Sequence, residues 1–330
     1  MLMLSKTLDG RTFNMIEKMI YTGSLKFCIG TFILALVFSV GQNKILVKDE
    51  SCCPKLSDER WNKHQLYEGI EWKYAEFVDL FGSPQYLNLI ISHADTLAKR
   101  IVFAAADNVE QGERRMRPSE FARHYSAMAA VNAGFFTDHP DNLNTGVFKW
   151  EGSVYPFLKR ESDEIYFVGE GAIGISLEGE WLFYSREGKT WPNDWPDAHS
   201  AIAGGHSLIE EGSIRDNILD EEFITDREIQ HAGQRHPRTA VCLAENNHIL
   251  ILVADGRHNE AVGFSLYELA QLLQEFGCIN AINLDGGGSS TMFIRGEGVV
   301  NHPSDNGKFD RQGERAVRTV IVITEPEQKG

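Results

Sequence analysis

Two aspartates stand at the ends of apolar runs, each followed by glycine. "HILILVADGRHNE" ends its run in Asp255-Gly256-Arg257, and "INAINLDGGGSST" ends its run in Asp285-Gly286-Gly287-Gly288, with Ser289, Ser290 and Thr291 behind. Carboxylates in such positions can orient water or stabilise a cationic carbon, and arginine and hydroxyl groups can hold an anion. Consecutive glycines can take positive φ and turn several N–H groups toward one point, forming an anion nest. The plainer alternative is two Asp-Gly turns, each aspartate bonding its own backbone, with Arg257 in a solvated ion pair. No lysine follows the glycines and no helix pattern opens there, so the stretch is not a nucleotide-type phosphate loop. His236, His258, Asp255 and Asp285 are the available metal-ligand material, and their spacing fits no metal motif. No cofactor is therefore expected, and a structural divalent cation is left open.

These residues need elements to carry them. Short apolar runs with strand character recur along the chain: "YLNLIIS", "IVFAAA", "AMAAVNAGFF", "EIYFV", "GAIGISL", "WLFYS", "RTAVCLA", "HILILVA", "INAINL", "TMFIR" and "RTVIVIT". "TMFIRGEGVV" reads as a hairpin. Helix patterns are few: "RPSEFARHY", and "SLYELAQLLQEFG", where Ser265 and Glu268 make a capping box and Gly277 ends the helix. The second helix separates the two Asp-Gly units, so a strand-helix-strand unit would bring both carboxylates to one sheet edge. Asn132 ends a third apolar run, and His236 and Arg238 precede a fourth. The expected class is α+β, a large, mostly antiparallel or mixed sheet with few helices.

The formal net charge of −15 over 330 residues argues against a nucleic-acid-coating surface. Lys26 precedes an uncharged run, Phe27–Val40, of 14 residues, short of the roughly 20 a membrane-spanning helix needs. With Ser39-Val40-Gly41 behind it, residues 1–41 read as a signal peptide or N-terminal anchor, implying an exported protein: periplasmic, secreted or envelope-associated. Contact with a membrane would come only through this segment, if uncleaved. Residues 1–41 hold four basic and two acidic residues, so the remainder is at −17. Residues 42–83 are mixed and charged, broken by Gly82-Ser83-Pro84, and read as a lead-in to a domain over 84–330. Cys242 and Cys278 sit in apolar runs and read as buried core thiols.

"AVNAGFF", "GQRHPRTAV", "ILVADGR", "GFSLYELAQLLQEFGCINAINLDGGGSST" and "GERAVRTVIVI" resemble the phosphodiester glycosidase family, in order over about residues 86–324. Two positions depart from the family pattern: His206, where proline is usual, and Cys242, where glycine or alanine is expected. The resemblance implies a phosphorylated glycan or sugar-1-phosphodiester as substrate, cleaved at the sugar side. N-acetylglucosamine is a candidate sugar, and exopolysaccharide or envelope metabolism a candidate setting. It implies Asp285, Asp255 and Arg238 as the catalytic groups, Asp285 carrying the carboxylate role and Arg238 the departing phosphate. Asn132, His236, Arg257, Gly286, Gly287, Gly288, Ser289 and Ser290 would bind substrate. Two other classes remain open from the residues alone: a non-catalytic module for phosphorylated glycans, and a metal-dependent phosphodiesterase.

Overall fold

The computed structural model describes residues 55–57, 59–106, 115–137, 145–155, 171–185, 195–215 and 232–325. The signal or anchor expected over 1–41 and the strand expected at "EIYFV" lie outside them. No described helix is long and apolar enough to cross a membrane.

Strands are numbered in chain order. The largest sheet has eight, in the spatial order β1 (Asn62–Tyr67), β2 (Ile70–Leu80), β3 (Ser83–His93), β14 (His248–Ala254), β13 (Arg238–Ala244), β15 (Cys278–Asn283), β11 (Ser207–Glu210) and β12 (Ser213–Ile214). A second sheet runs β17 (Gly298–Val299), β16 (Met292–Ile294), β5 (Ala127–Asn132), β18 (Thr319–Thr324), β4 (Ile101–Ala105). A third runs β7 (Ser153–Val154), β6 (Phe148–Trp150), β10 (Ser200–Ala203), β8 (Gly171–Ile175), β9 (Trp181–Ser185). Neighbouring strands pair antiparallel, including the β16–β17 hairpin read from "TMFIRGEGVV". Helices are few: α1 (Ala94–Ala98), α2 (Pro118–His124) and α3 (Leu266–Glu275).

The unbroken apolar run of β14 has a physical cause: both of its faces are covered. Leu250, Leu252 and Ala254 share a core with Leu266, Leu269 and Leu273 of α3, while Ile249, Ile251 and Val253 pack with Val131, Phe103 and Ile321 of the second sheet. Truncating one such leucine to alanine typically costs about 2–5 kcal/mol. At the start of α3, Ser265 Oγ accepts from the Glu268 N–H at 3.2 Å, and Glu268 Oε2 accepts from the Ser265 N–H at 3.0 Å. That reciprocal cap, worth about 1 kcal/mol, fixes where the helix begins.

Two expectations need correction. The segment 62–80, read as part of a lead-in, supplies β1 and β2, and Ile70, Trp72, Phe77 and Leu80 are core residues. β2 buries Ile70 and Trp72 on one face and Ala75 and Phe77 on the other, so its charged residues fall on both faces and no single alternation runs along it. Cys242 and Cys278 are buried as expected but joined in a disulfide, Cα–Cα 5.8 Å. The two strands are neighbours with Cys242 opposite Ala281 and Cys278 opposite Ala244, and the register irregularity at Leu243/Ala244 lets the sulfurs meet diagonally.

Candidate active site

β14 and β15 both run antiparallel to β13, which lies between them, so they run parallel to each other and end at the same sheet edge. Asp255 and Asp285 follow those two ends, and Arg238 begins β13 at the same edge, as the strand-helix-strand pattern implies.

Asp255 is 1% exposed and strongly held. Its Oδ1 accepts from Asn301 Nδ2 at 3.0 Å, both oxygens accept from the His302 N–H at 3.0 Å, and Oδ2 lies 2.7 Å from His302 Nδ1. With the carboxylate accepting, the imidazole proton sits on Nδ1 and Nε2 is left able to take a proton. His302 stacks on Phe309 at 3.8 Å between centroids and meets the edge of Tyr86 at 4.9 Å. Burial pushes the Tyr86 hydroxyl up to about 12. His258 stacks on Phe309 at 5.2 Å and pairs with Glu260. Asn301 and His302 carried no sequence pattern of their own. The polar "NHP" following β17 was the available signal.

Asp285 is partly exposed, and its backbone is pinned from both sides. Its N–H donates to the Ala133 carbonyl at 2.8 Å, and its carbonyl accepts from Asn132 Nδ2 at 2.6 Å. Burial pushes its carboxyl up to about 6, opposed by hydrogen bonds from Ser289 and the Gly286 N–H and by the charges of Arg315 and Arg257. Asn132 has no side-chain surface left for a ligand: it is 0% exposed, and its Oδ1 accepts from Thr239 Oγ1 at 2.9 Å and the Thr291 N–H at 3.0 Å.

The glycines make room for protein groups. A Cβ on Gly286 would lie 2.8 Å from the Pro237 carbonyl oxygen, one on Gly287 2.8 Å from Arg257 Nη2, and one on Gly288 2.6 Å from Asp305 Oδ1 and against the Arg315 guanidinium. Gly287, at φ +61, donates its N–H to the Pro237 carbonyl at 2.9 Å within a short 3-10 turn, Gly287–Ser289. The Gly286 N–H is engaged by the Asp285 carboxylate. Positive charge at the turn therefore comes from Arg257 and Arg315 lying on the glycine backbone. Arg257 is itself at φ +65, a costly conformation for a side-chain-bearing residue. Burial first and Arg315 second lower the pKa of Arg257. Its Nε donates to His236 Nδ1 at 3.3 Å. Burial, then Arg238 and Arg257, press the His236 imidazole down to about 4, so it is neutral at pH 7 and can accept there. Arg315 Nε donates to Asp305 Oδ1 at 2.9 Å, and its Nη1 reaches Ser289 Oγ at 3.5 Å.

Arg238 shares the edge but is 0% exposed, donating from Nε to the Phe264 carbonyl at 2.8 Å and from Nη2 to the Gln234 carbonyl at 3.0 Å. Burial, then the Arg257 charge, lower it to about 9. Ser289 and Ser290 are likewise fully buried, the former against Asp285 and the latter 3.3 Å from Thr239 Oγ1. Among the described residues no group of three or more His, Cys, Asp or Glu side chains could hold a metal ion.

A sequence model of phosphodiester glycosidases matches residues 125–324, which contain every one of these site residues except Tyr86. The chain belongs to the phosphodiester glycosidase family. It is 30% identical over 220 residues to the N-acetylglucosamine-1-phosphodiester alpha-N-acetylglucosaminidase of Homo sapiens, covering 64% of this chain and 41% of the relative. To the Bos taurus enzyme it is 30% identical over 223 residues, covering 65% and 40%. This phosphodiester glycosidase chain thus spans about two fifths of the length of those curated relatives. Its fold is that of the zebrafish enzyme's catalytic domain, solved auto-inhibited by its pro-peptide, with TM-score 0.61 and 21% identity over 80% of this chain and 86% of that one. A hypothetical protein from Synechocystis aligns at TM-score 0.60 and 16% identity, covering 81% and 64%.

Proposed function

We propose that this chain hydrolyses a sugar-1-phosphodiester at the anomeric C–O bond, releasing free sugar and a phosphomonoester. The observation that carries the reading is the pairing of two guanidinium groups, Arg257 and Arg315, with the Asp285 carboxylate across the glycine turn. When the C–O bond breaks, its electron pair leaves with the phosphate oxygen. That anion is stable and asks for positive charge more than for a general acid. Arg257 and Arg315 supply the charge, and Arg238 braces the strand from which the site is built. Asp285 stabilises the cationic anomeric carbon. Water adds to that carbon and gives its proton to His302 Nε2, with Asp255 holding the ring.

The activity named for the human and bovine relatives supports N-acetylglucosamine as the sugar. Export, and with it a role in envelope or exopolysaccharide metabolism, is supported by the apolar run at 27–40 and by the buried disulfide, which forms in oxidising compartments. Hydrolysis in oxygen-18 water tests the bond assignment. The heavy oxygen is expected in the sugar, and label in the phosphate would move the attack to phosphorus and end this mechanism.

A further inference from the structure

Phe309 lies face to face with His302 and has no part in the chemistry above. Its ring stands 3.8 Å from the His302 imidazole between centroids, at 17° between planes, and 5.2 Å from the His258 imidazole at 20°. It is half-buried on a stretch whose other side chains are mostly exposed.

That stretch is braced against itself. Residues 303–313 leave and return at one place, where a Cβ on Gly313 would lie 2.1 Å from the Pro303 carbonyl oxygen. Inside this compact loop Asn306 Oδ1 accepts from the Lys308 N–H at 2.9 Å, and Asn306 Nδ2 donates to Asp310 Oδ1 at 2.8 Å. The same Asp310 oxygen accepts from the Gln312 N–H at 2.9 Å. Phe309 stands in the middle of these bonds, on backbone that they hold in shape. Arg311 of the same loop donates to the Tyr86 hydroxyl, and the Tyr86 ring meets His302 at 4.9 Å and 83°. One loop thus fastens two aromatic rings around one imidazole.

Asp255 by itself does not fix that imidazole. A single bond joins the two side chains, from Nδ1 to Oδ2 at 2.7 Å, and the torsion that turns a histidine ring is broad. Each turn stretches the bond to Asp255 and swings Nε2 away from its aim. A flat ring stacked on the imidazole face opposes such turns, because they break the parallel contact. An aliphatic side chain of similar size would fill the space without offering a flat face. We infer that Phe309 is a positioning residue: it acts through His302, keeping Nδ1 on Asp255 and Nε2 directed at the place where the attacking water gives up its proton. The assignment rests on the hydrolase reading for what Nε2 does, and it adds what aims it.

The test reads the ring and the turnover separately. Wild type, Phe309→Leu and Phe309→Tyr, each checked by thermal melting, are labelled with nitrogen-15 histidine. The His302 ring signals, assigned by their loss in His302→Gln, report by magnetic resonance which nitrogen carries the proton. Wild type and Phe309→Tyr should hold it on Nδ1, and Phe309→Leu should share it between the two nitrogens. For a sugar-1-phosphodiester, kcat should fall about 10–100-fold in Phe309→Leu with KM within about threefold of wild type, and Phe309→Tyr should recover to within about threefold. Ring signals in Phe309→Leu that match the wild type, or that Phe309→Tyr does not restore, overturn the assignment. So does a wild-type kcat in Phe309→Leu. The expected ring signals in a wild-type protein that turns over no phosphodiester sustain the positioning of His302 and remove the hydrolase reading.

Discussion

Replacing Asp285 with asparagine should trade activity for stability, and the size of the trade follows from its surroundings. Burial holds the carboxyl at about 6 against an ordinary 3.8, a gap of about two pH units. Fully expressed, that gap is roughly 3 kcal/mol, and the carboxylate's partial access to solvent reduces it to about 1–2 kcal/mol. The native state holds this proton more tightly than the unfolded chain does. The contribution to stability is therefore complete below about pH 4 and is lost as pH rises through about 6. Asparagine does not titrate, so Asp285→Asn should gain on the wild type by about 1–2 kcal/mol between pH 4 and pH 7.5. Urea unfolding of both proteins at the two pH values reads that difference directly. Turnover of a sugar-1-phosphodiester should fall about 10²–10⁴-fold in the variant, and in the wild type should rise with pH through about 6 as the carboxylate ionises. A stability gap that narrows with pH, or a variant with wild-type turnover, would refute the reasoning.

Two other outcomes are expected. In Gly288→Ala the new methyl group meets Asp305 and Arg315, so kcat/KM should drop at least tenfold while the melting temperature changes by only a few degrees; unfolding with no separate kinetic defect would leave the glycine as a turn residue alone. Cys242→Ser should destabilise the protein by about 2–4 kcal/mol in chemical unfolding, and a reductant should lower the wild-type melting temperature but not that of the variant.

Several parts of this fold were legible because local patterns and tertiary structure agree. The capping box at Ser265 and Glu268, the apolar runs of β13, β14 and β15, and the shared edge of Asp255 and Asp285 all follow from periodicity and connection rules. The first two strands were not legible, because β2 buries Ile70 and Trp72 on one face and Ala75 and Phe77 on the other, leaving Glu71 and Lys73 on one side and Glu76 on the opposite one, so no single alternation shows in the sequence. Side-chain direction was beyond reach as well. Arg238 and Asn132 have the right types and stand at the right edge, but their bonds go inward to carbonyls and to neighbouring residues. Arg315 is 30 residues beyond Asp285 in sequence, and only the packing of the turn Ser304–Asn306 against Gly287–Ser289 brings it near. Isolated arginines and histidines of this kind have no spacing signal.

The bond between Cys242 and Cys278 closes a covalent loop around β14, Asp255, Arg257 and α3. A protease cut inside that loop, for instance in the surface turn at Arg257–Glu260, would open a ring and leave the polypeptide in one piece. Nicked and intact chains would migrate together on a non-reducing gel and separate only after reduction. The segment that carries Asp255 would stay tethered at both of its flanks, next to the strands it pairs with, and could re-anneal there without having to find them again by diffusion.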